Sequence, residues 1–334
     1  MLDNRHYILK QLAQGEFCSG EQLGKQLNIS RAAVAKHIKV LNEMGLDIYR
    51  VTGKGYKLST PLSLIDPDTI KTYLSNSDSH LSQVPEVQLI PIIESTNTYL
   101  INQLRDGTTL SNGHTVISEF QSQGRGRRGR NWHSPLGTNL YMSLAWKFDN
   151  GFQSVMGLSS VVALALIDTL QQMHIADAKV KWPNDILIHD HKVAGVLVEL
   201  EGQVNDSFTA IIGVGVNVAM EQQSIAHIEQ PWCSLNDFSA QPIDKTQFAS
   251  LLINNLCNKI HQFANTGLVN MLPEWQSVDR YYNQKVALIM GDTKRIGTAK
   301  GIDQQGGLRL QMGQEEKVFY GGEISLRPLS NNAD

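Results

Sequence analysis

The order of apolar and polar positions divides the chain into three parts. Over the first 44 residues apolar side chains recur at helical spacing. Asp3 is placed to cap a first helix running through Ala13, with Gly15 as its stop. Ser19-Gly-Glu-Gln22 has capping-box spacing ahead of apolar Leu23 and Leu27. Asn28-Ile29 makes a short turn, and Ser30 caps a third helix, RAAVAKHIKVLNEM, ended by Gly45. On it Ala33, Val34, Ile38 and Leu41 share a face, which leaves Arg31, Lys36, His37 and Lys39 outward. The period then drops to two. Residues 48–51 and 56–59 read as strands around TGKG, a hairpin carrying Arg50, Lys54 and Lys57. A helix-turn-helix followed by a basic hairpin is a winged helix. It would set helix 30–44 in a DNA major groove and the hairpin near phosphates. A protein-interaction module with a solvated basic face has the same pattern. STPLSLIDP, with Pro61 and Pro67, reads as a linker.

From about residue 84 strands and helices mix. VQLIPII, HTVISEF and NLYMSLAW read as strands, TYLINQLRD and MGLSSVVALALIDTLQQM as helices. VKWPNDILIH, KVAGVLVEL and FTAIIGVGVNV add three strands. The stretch from EWQSV to SLRP shows short strands at close spacing with Gly-rich turns, the pattern of a small barrel.

Charge changes this picture. The net charge of −3 by itself argues against nucleic acid, but residues 1–60 hold nine Lys/Arg against five Asp/Glu, and the remainder is acidic. Cys18, Cys233 and Cys257 form no CxxC pair, which fits a reducing cytoplasm and no zinc or disulfide framework. The start, MLDNRHYILKQL, is charged and unlike a secretory leader, and no run of ~18 apolar residues predicts a membrane span.

The candidate chemistry lies in polar knots between apolar strands. GRGRRGRNW packs Arg125, Arg127, Arg128 and Arg130 among glycines, and such a cluster asks for an anion. It matches G-x-G-x-x-G, but the chain continues into NWHSPLGTN, where no helix can start to receive a dinucleotide pyrophosphate. A disordered RNA-binding RGG segment is the other reading, although this loop is single and lies between strands. No G-x-x-x-x-G-K-[ST] exists, so phosphate binding would rely on guanidinium groups. Lys181-Trp-Pro-Asn-Asp185, Lys192-Val-Ala-Gly195 and Gly213-Val-Gly-Val-Asn217 are the other knots. Lys181 beside an apolar strand needs an anion, either a ligand or Asp185.

Taken in order, SRAAVAKHI, the GKGY wing, ESTN, GRGRRGRNW, KWPND, KVAG, GVGVN and a terminal GGEISLR resemble the bifunctional biotin–protein ligase that also represses the biotin operon. The resemblance runs from end to end. It implies an α+β multidomain chain: a winged helix-turn-helix over 1–62, a central mixed-sheet α/β ligase domain over 63–272, and an SH3-like small β-barrel over 273–334. It implies ATP-dependent activation of biotin, with magnesium, and transfer to a lysine of the biotin carboxyl carrier protein of acetyl-CoA carboxylase. It further implies operator DNA of the biotin operon as a partner, a homodimer when the adenylate is bound, cytoplasmic location and no membrane.

Carried over by position, Ser95, Thr96, Asn97 and Gln121 would hold the ureido head of biotin. Gly124, Arg125, Gly126 and Arg127 would wrap its carboxylate and the phosphate, with Lys192 at the reacting centre. Arg125, Arg127 and Lys192 are thus the catalytic candidates. Lys181, Asn184, Asp185 and Asn217 would surround ATP, with magnesium near Asp185 and no fixed metal site. Trp232, after EQQSIAHIEQP, would cover the adenine, unless it is a core or surface tryptophan. Ser30, Arg31, Lys36, His37, Arg50 and Lys54 would meet DNA. Glu323 and Arg327 would tie domains or reach the site. The chemistry agrees: two anions must be brought together, and no G-x-S-x-G elbow or Cys/His pair offers a nucleophile. The Gly/Arg loop and the 221–232 loop are expected to order only around ligand. Two other readings compete: an effector-sensing transcription factor without ligase activity, and a related lipoate-type acyl–protein ligase.

Overall fold

The computed structural model describes residues 4–77, 83–149, 151–202, 207–220, 230–321 and 324–328. Asp3, most of the 221–232 loop and Glu323 lie outside them.

The N-terminal module is α1 (Asn4–Leu12), α2 (Gly20–Leu27), α3 (Arg31–Glu43), β1 (Ile48–Val51) and β2 (Gly55–Leu58). Ile8, Leu9, Leu12, Leu23, Val34, Ile38 and Leu41 form its core, so the apolar stripe read from the sequence is the buried one. The turn between α2 and α3 is tight because Gly24 sits under the Ile29 carbonyl, where a Cβ would approach to 2.7 Å, and because Asn28 accepts a left-handed backbone. Ser30 caps α3 through the Ala33 amide. Ser19 caps α2 as a simple cap and not as a capping box: its hydroxyl accepts from the Glu21 amide, not that of Gln22. Leu136, from the central domain, is buried in this core, and its amide donates to the Met44 carbonyl at 3.4 Å.

The segment read as a linker is fastened down. The Ile65 amide donates to the buried Glu119 carboxylate at 2.6 Å, and the Asp66 amide to the Thr246 hydroxyl at 3.1 Å. Asp66 then caps α4 (Pro67–Asn76). Glu119 also pairs with buried Lys245 at 2.6 Å, whose ammonium reaches the Gly137 carbonyl. A buried charge pair needs this much additional hydrogen bonding to be tolerated.

The central domain continues with β3 (Val87–Leu89), β4 (Ile92–Ile93), α5 (Thr96–Arg105), β5 (Thr115–Ser118), β6 (Phe120–Gln121), β7 (Leu140–Phe148) and α6 (Leu158–Gln172). After these come β8 (Ala178–Lys181), β9 (Asp185–Ile188), β10 (His191–Gly202), β11 (Phe208–Val216), α7 (Lys245–Thr266) and α8 (Leu272–Val278). One sheet runs β3-β5-β7-β11-β10-β9-β8. Its β3–β5 pair is parallel and the other pairs are antiparallel, so it is mixed as expected.

Two expectations are corrected here. VKWPNDILIH is not one strand but the hairpin β8–β9, with Lys181 opposite Asp185. Pro183 offers no ladder donor, and the chain reverses there. EWQSV is not part of the strand-rich tail but of α8, where Trp275 and Val278, three residues apart, bury one face. The stretch Gln153–Gln172 is long and apolar enough to cross a membrane, yet 67% of its apolar window is buried inside the molecule. It is the core helix, covered by α7 and the sheet.

The C-terminal module is β12 (Lys285–Met290), β13 (Thr293–Ile302), β14 (Leu308–Met312), β15 (Glu315–Phe319) and β16 (Ile324–Pro328). They form an antiparallel sheet in the order β15-β14-β13-β12-β16. Its tight turns use Gly291 and Gly313 at positive φ. The Trp182 indole donates to the Gly306 carbonyl and the Arg280 amide to the Val180 carbonyl, joining this module to the β8–β9 hairpin.

Candidate active site

The Gly/Arg loop follows β6. The Trp132 amide donates to the Gly124 carbonyl and the Gly126 amide to the Arg130 carbonyl, with one 3-10 turn at Arg127–Gly129. No α-helix opens, so the dinucleotide motif fails as expected. Its own backbone pairs this loop, and side chains pin it to the sheet. Gly124 allows this, since a Cβ there would overlap the Trp132 carbonyl.

Trp132 was not singled out from the sequence, and it forms a wall of the site. Gly195 on β10 and Gly215 on β11 face each other across the ladder. The indole lies on both, so that a Cβ at either would press into the ring. Its Nε1 is buried without a hydrogen-bond partner, an available donor inside the site.

One end of the site is neutral and polar. Ser95 caps α5 through the Thr98 amide. The Gln121 amide oxygen accepts from the Thr96 amide at 2.9 Å and lies 3.2 Å from its hydroxyl. The Ser143 hydroxyl lies 2.7 Å from the Thr96 hydroxyl and bonds Asn97. Asn97 fits because Gly213 beneath it has no side chain.

The other end is cationic. Lys192 pairs with Asp185 at 2.6 Å and lies 5.2 Å over the Trp132 ring. The partner of Asp185 is therefore Lys192, although Lys181 stands opposite it in the hairpin and feels its charge. Arg127 donates to the Asn184 side chain at 3.1 Å, and Asn184 to the Val196 carbonyl at 2.7 Å. Burial lowers the pKa of Arg127 from its ordinary value; Asp185 opposes this and Arg128 adds to it. Burial likewise lowers that of Lys181, with Asp185 opposing and Lys192, Arg327 and Arg130 reinforcing. These cations are desolvated and close together, the state that a bound anion relieves.

Between the two ends lies a cavity of about 60 Å³. Of the residues expected at the site, Ser95, Thr96, Asn97, Gln121, Arg125, Gly126, Arg127, Asn184 and Lys192 line it, together with Trp132. Gly124, Lys181, Asp185, Asn217 and Trp232 do not. Asn217 is buried, and its amide donates to the Lys192 and Cys233 carbonyls, so it braces the strand under the lysine. Trp232 sits beside Lys192 on a backbone bridge, closed by the Lys192 and Cys233 amides. Arg125 lines the cavity but is already paired: its guanidinium meets Glu199 at 2.7 Å. Among the described residues, no group of three or more His, Cys, Asp or Glu is placed to hold a metal.

The candidate DNA-facing residues are on a separate module. Arg31, Lys36, Arg50 and Lys54 are exposed, and His37 is half-buried. Lys54 and Lys57 lie 5.6 and 5.4 Å from the Phe17 ring centre. The Ser30 hydroxyl is engaged as the cap of α3.

Comparison with known proteins agrees with each module. Residues 4–57 match the HTH domain family, 89–217 the Biotin/lipoate A/B protein ligase family, and 281–327 the Biotin protein ligase C terminal domain. The Bifunctional ligase/repressor BirA of Escherichia coli (strain K12) is 39% identical over 320 residues, 96% of either chain. That of Bacillus subtilis (strain 168) is 26% identical over 315 residues, 94% of this chain and 95% of the relative. A solved biotin protein ligase from Aquifex aeolicus, in complex with biotin and ATP, shares the fold at TM-score 0.63 and 24% identity, covering 73% of this chain and 99% of that one. With a helix-turn-helix, a ligase fold and a C-terminal β module in the same order, and a relative of this identity along nearly its whole length, the chain belongs to the bifunctional ligase/repressor BirA family.

Proposed function

We propose that this chain joins biotin to ATP, giving biotinyl-5′-AMP and pyrophosphate, and passes the biotinyl group to a lysine of the biotin carboxyl carrier protein of acetyl-CoA carboxylase. Loaded with the adenylate it dimerises, binds the operator of the biotin operon and represses it, working in the cytoplasm and away from membranes. The observation that carries the ligase half is the polarity of one cavity. A neutral row of hydrogen-bonding groups at one end and desolvated cations at the other suit a ligand with a neutral head and an anionic tail.

In the first step a carboxylate oxygen of biotin attacks the α-phosphorus of ATP. The new P–O bond forms as the bond to pyrophosphate breaks, and the electron pair leaves with pyrophosphate. Both reactants are anions, so fixed positive charge and positioning supply the catalysis. Arg125, Arg127 and Lys192 all line the cavity; Glu199 holds Arg125 and Asp185 holds Lys192 in place. In the second step the carrier lysine, as the free amine, attacks the acyl carbon. The C–O bond to AMP breaks, and the amine proton goes to solvent. The mixed anhydride must be kept from water in between, which suits the fastened loop 124–132. Lys181 belongs with the phosphates, Trp232 with the adenine and Asn217 with the strand that carries Lys192.

Magnesium fits as an ion brought in with ATP. Such an ion uses one or two carboxylates and the substrate's phosphates, and Asp185 is the carboxylate that would hold it, where it would neutralise phosphate charge. The lipoate-type reading and the ligand-sensing regulator without chemistry are both tested by biotin-dependent exchange of labelled pyrophosphate into ATP. Exchange with biotin and none with lipoate supports the proposal; the reverse, or no exchange with either, overturns it.

A further inference from the structure

Glu199 lies on β10, on the same face as Gly195 and Leu197 of the cavity lining and just beyond them, and its carboxylate joins the two halves of the site. One oxygen accepts from the Arg125 guanidinium at 2.7 Å, and the other accepts from the Asn97 amide at 2.9 Å. The neighbouring acid, Glu201, makes a different pair, with Arg105.

An ionised carboxylate can only accept hydrogen bonds. The Asn97 NH₂ must therefore face Glu199, and the Asn97 oxygen must face the other way. That oxygen meets the Ser143 hydroxyl. Ser143 has one hydroxyl proton and two neighbours, Asn97 and Thr96. With the Asn97 oxygen fixed as an acceptor, the Ser143 proton goes to it. Ser143 is then an acceptor toward Thr96, and the Thr96 proton is directed toward Ser143 or Gln121. The direction of the bonds from Asn97 through Ser143 is thus set from the far end, by a carboxylate that does not line the cavity, and Ser143 can only accept from Thr96. The other carboxylate oxygen explains Arg125. Its charge is neutralised and its position fixed, with the Thr98 hydroxyl 3.4 Å from the same guanidinium. Arg125 thus anchors the start of the Gly/Arg loop.

We infer that Glu199 is a positioning residue. It fixes which groups of Asn97 and Ser143 donate and which accept beside Thr96 and Gln121, at the end of the cavity that takes the neutral cyclic-urea head of the substrate, and it moors the Gly/Arg loop through Arg125. This rests on the biotin-ligase reading above. A head group with fixed donors and a fixed acceptor loses binding when the row can turn around, because mispaired polar groups inside a site are costly. The reacting end is held elsewhere, so the chemical step on bound substrate is spared.

The test compares the full-length protein with Glu199→Gln, Ser143→Ala and the double variant. Calorimetry gives biotin affinity, pyrophosphate exchange gives KM and kcat, and thermal melting checks the fold. Glu199→Gln preserves shape but can both donate and accept, so the row loses its direction. The expected result is a rise of tenfold or more in biotin Kd and KM, with kcat within about threefold and melting little changed. Because Ser143→Ala cuts the same row, the double variant should lose little more than the worse single variant. Unchanged biotin affinity in Glu199→Gln, additive losses in the double variant, or a fall confined to kcat would each overturn the inference. Should Glu199→Gln melt far below the parent, Ser143→Ala alone decides, since it keeps the Glu199–Arg125 pair: an unchanged biotin KM overturns the inference. Failure of the parent protein to bind biotin would instead sink the ligase reading itself, an outcome distinct from these.

Discussion

Lys192 is the residue with most at stake in the chemistry. It is half-buried and paired with Asp185, and stands over Trp132. Lys192→Ala should keep the fold and lower biotin-dependent pyrophosphate exchange by a factor on the order of 10² or more, the usual cost of losing one preorganised stabilising charge. Exchange at the parental rate would remove Lys192 from the reacting centre. Asp279 makes a prediction about stability. Burial raises its pKa to about 6, against an accepted bond from the Tyr281 amide, and its second oxygen has no hydrogen-bond partner. A carboxyl with a raised folded-state pKa binds its proton more tightly in the folded chain. Its contribution is therefore favourable at low pH and lost as pH rises from about 4 to about 6. Asp279→Asn keeps the acceptor and removes the charge, so it should stabilise the protein by roughly 1–3 kcal/mol at pH 7.5 and give no gain at pH 4. Melting at both pH values checks this, and an equal effect at both would contradict it. The motif residues were legible in sequence because their chemistry is local: a loop of four arginines needs an anion wherever it sits. Glu199 and Ser143 were not legible. Each is a polar residue set among apolar neighbours in its strand, and its meaning depends on strands brought together by the fold.

At the scale of elements, the paired glycines matter most. Gly213 and Gly215 lie on one face of β11 at the strand period of two, and Gly195 faces Gly215 from β10. This opens a floor for Asn97 and Trp132. The pattern was visible as GVGVN, but its partner from KVAG is set by register, which the sequence does not spell out. Gly215→Ala would place a methyl inside the indole. The ring must swing out, or the strand must shift at a cost of about 1–3 kcal/mol. The expected outcome is a folded protein with altered tryptophan emission and weaker biotin binding. Replacing Trp132 with Phe in the same background should remove most of the emission change. Parental emission and affinity in Gly215→Ala would show that the indole is not seated there. The winged helix was read almost to the residue, since its helices carry local caps and its hairpin a glycine turn. The β8–β9 turn was missed because the apolar residues on either side of KWPND have strand character, so the stretch reads as one strand although Pro183 and the polar knot reverse the chain.

At the scale of the molecule, three modules share contacts that the linker reading left out. The Glu119–Lys245 pair holds the Ile65 amide, and Leu136 of the central domain packs inside the winged-helix core. Such contacts give the DNA-binding module and the ligase domain a common frame. A single winged helix offers a small footprint, and two on a two-fold-symmetric operator offer a specific one. Dimerisation should therefore depend on the adenylate, with a coupling of ~1–3 kcal/mol, roughly 5–150-fold. Sedimentation without ligand, with biotin, and with biotin and ATP, followed by titration of a two-half-site operator, measures it. Equal association and equal operator affinity in all three would contradict the repressor mechanism while leaving the ligase intact.

The central claim is that one cavity activates biotin and delivers it to a carrier lysine, and its most direct test is transfer itself. The full-length protein is incubated with labelled biotin, ATP, magnesium and a carrier-domain fragment, and the fragment is analysed for label. The account predicts label on a single lysine, dependent on ATP and abolished when that lysine is replaced by arginine. A carrier that stays unlabelled while the protein is folded, or one that is labelled equally without ATP, would contradict it.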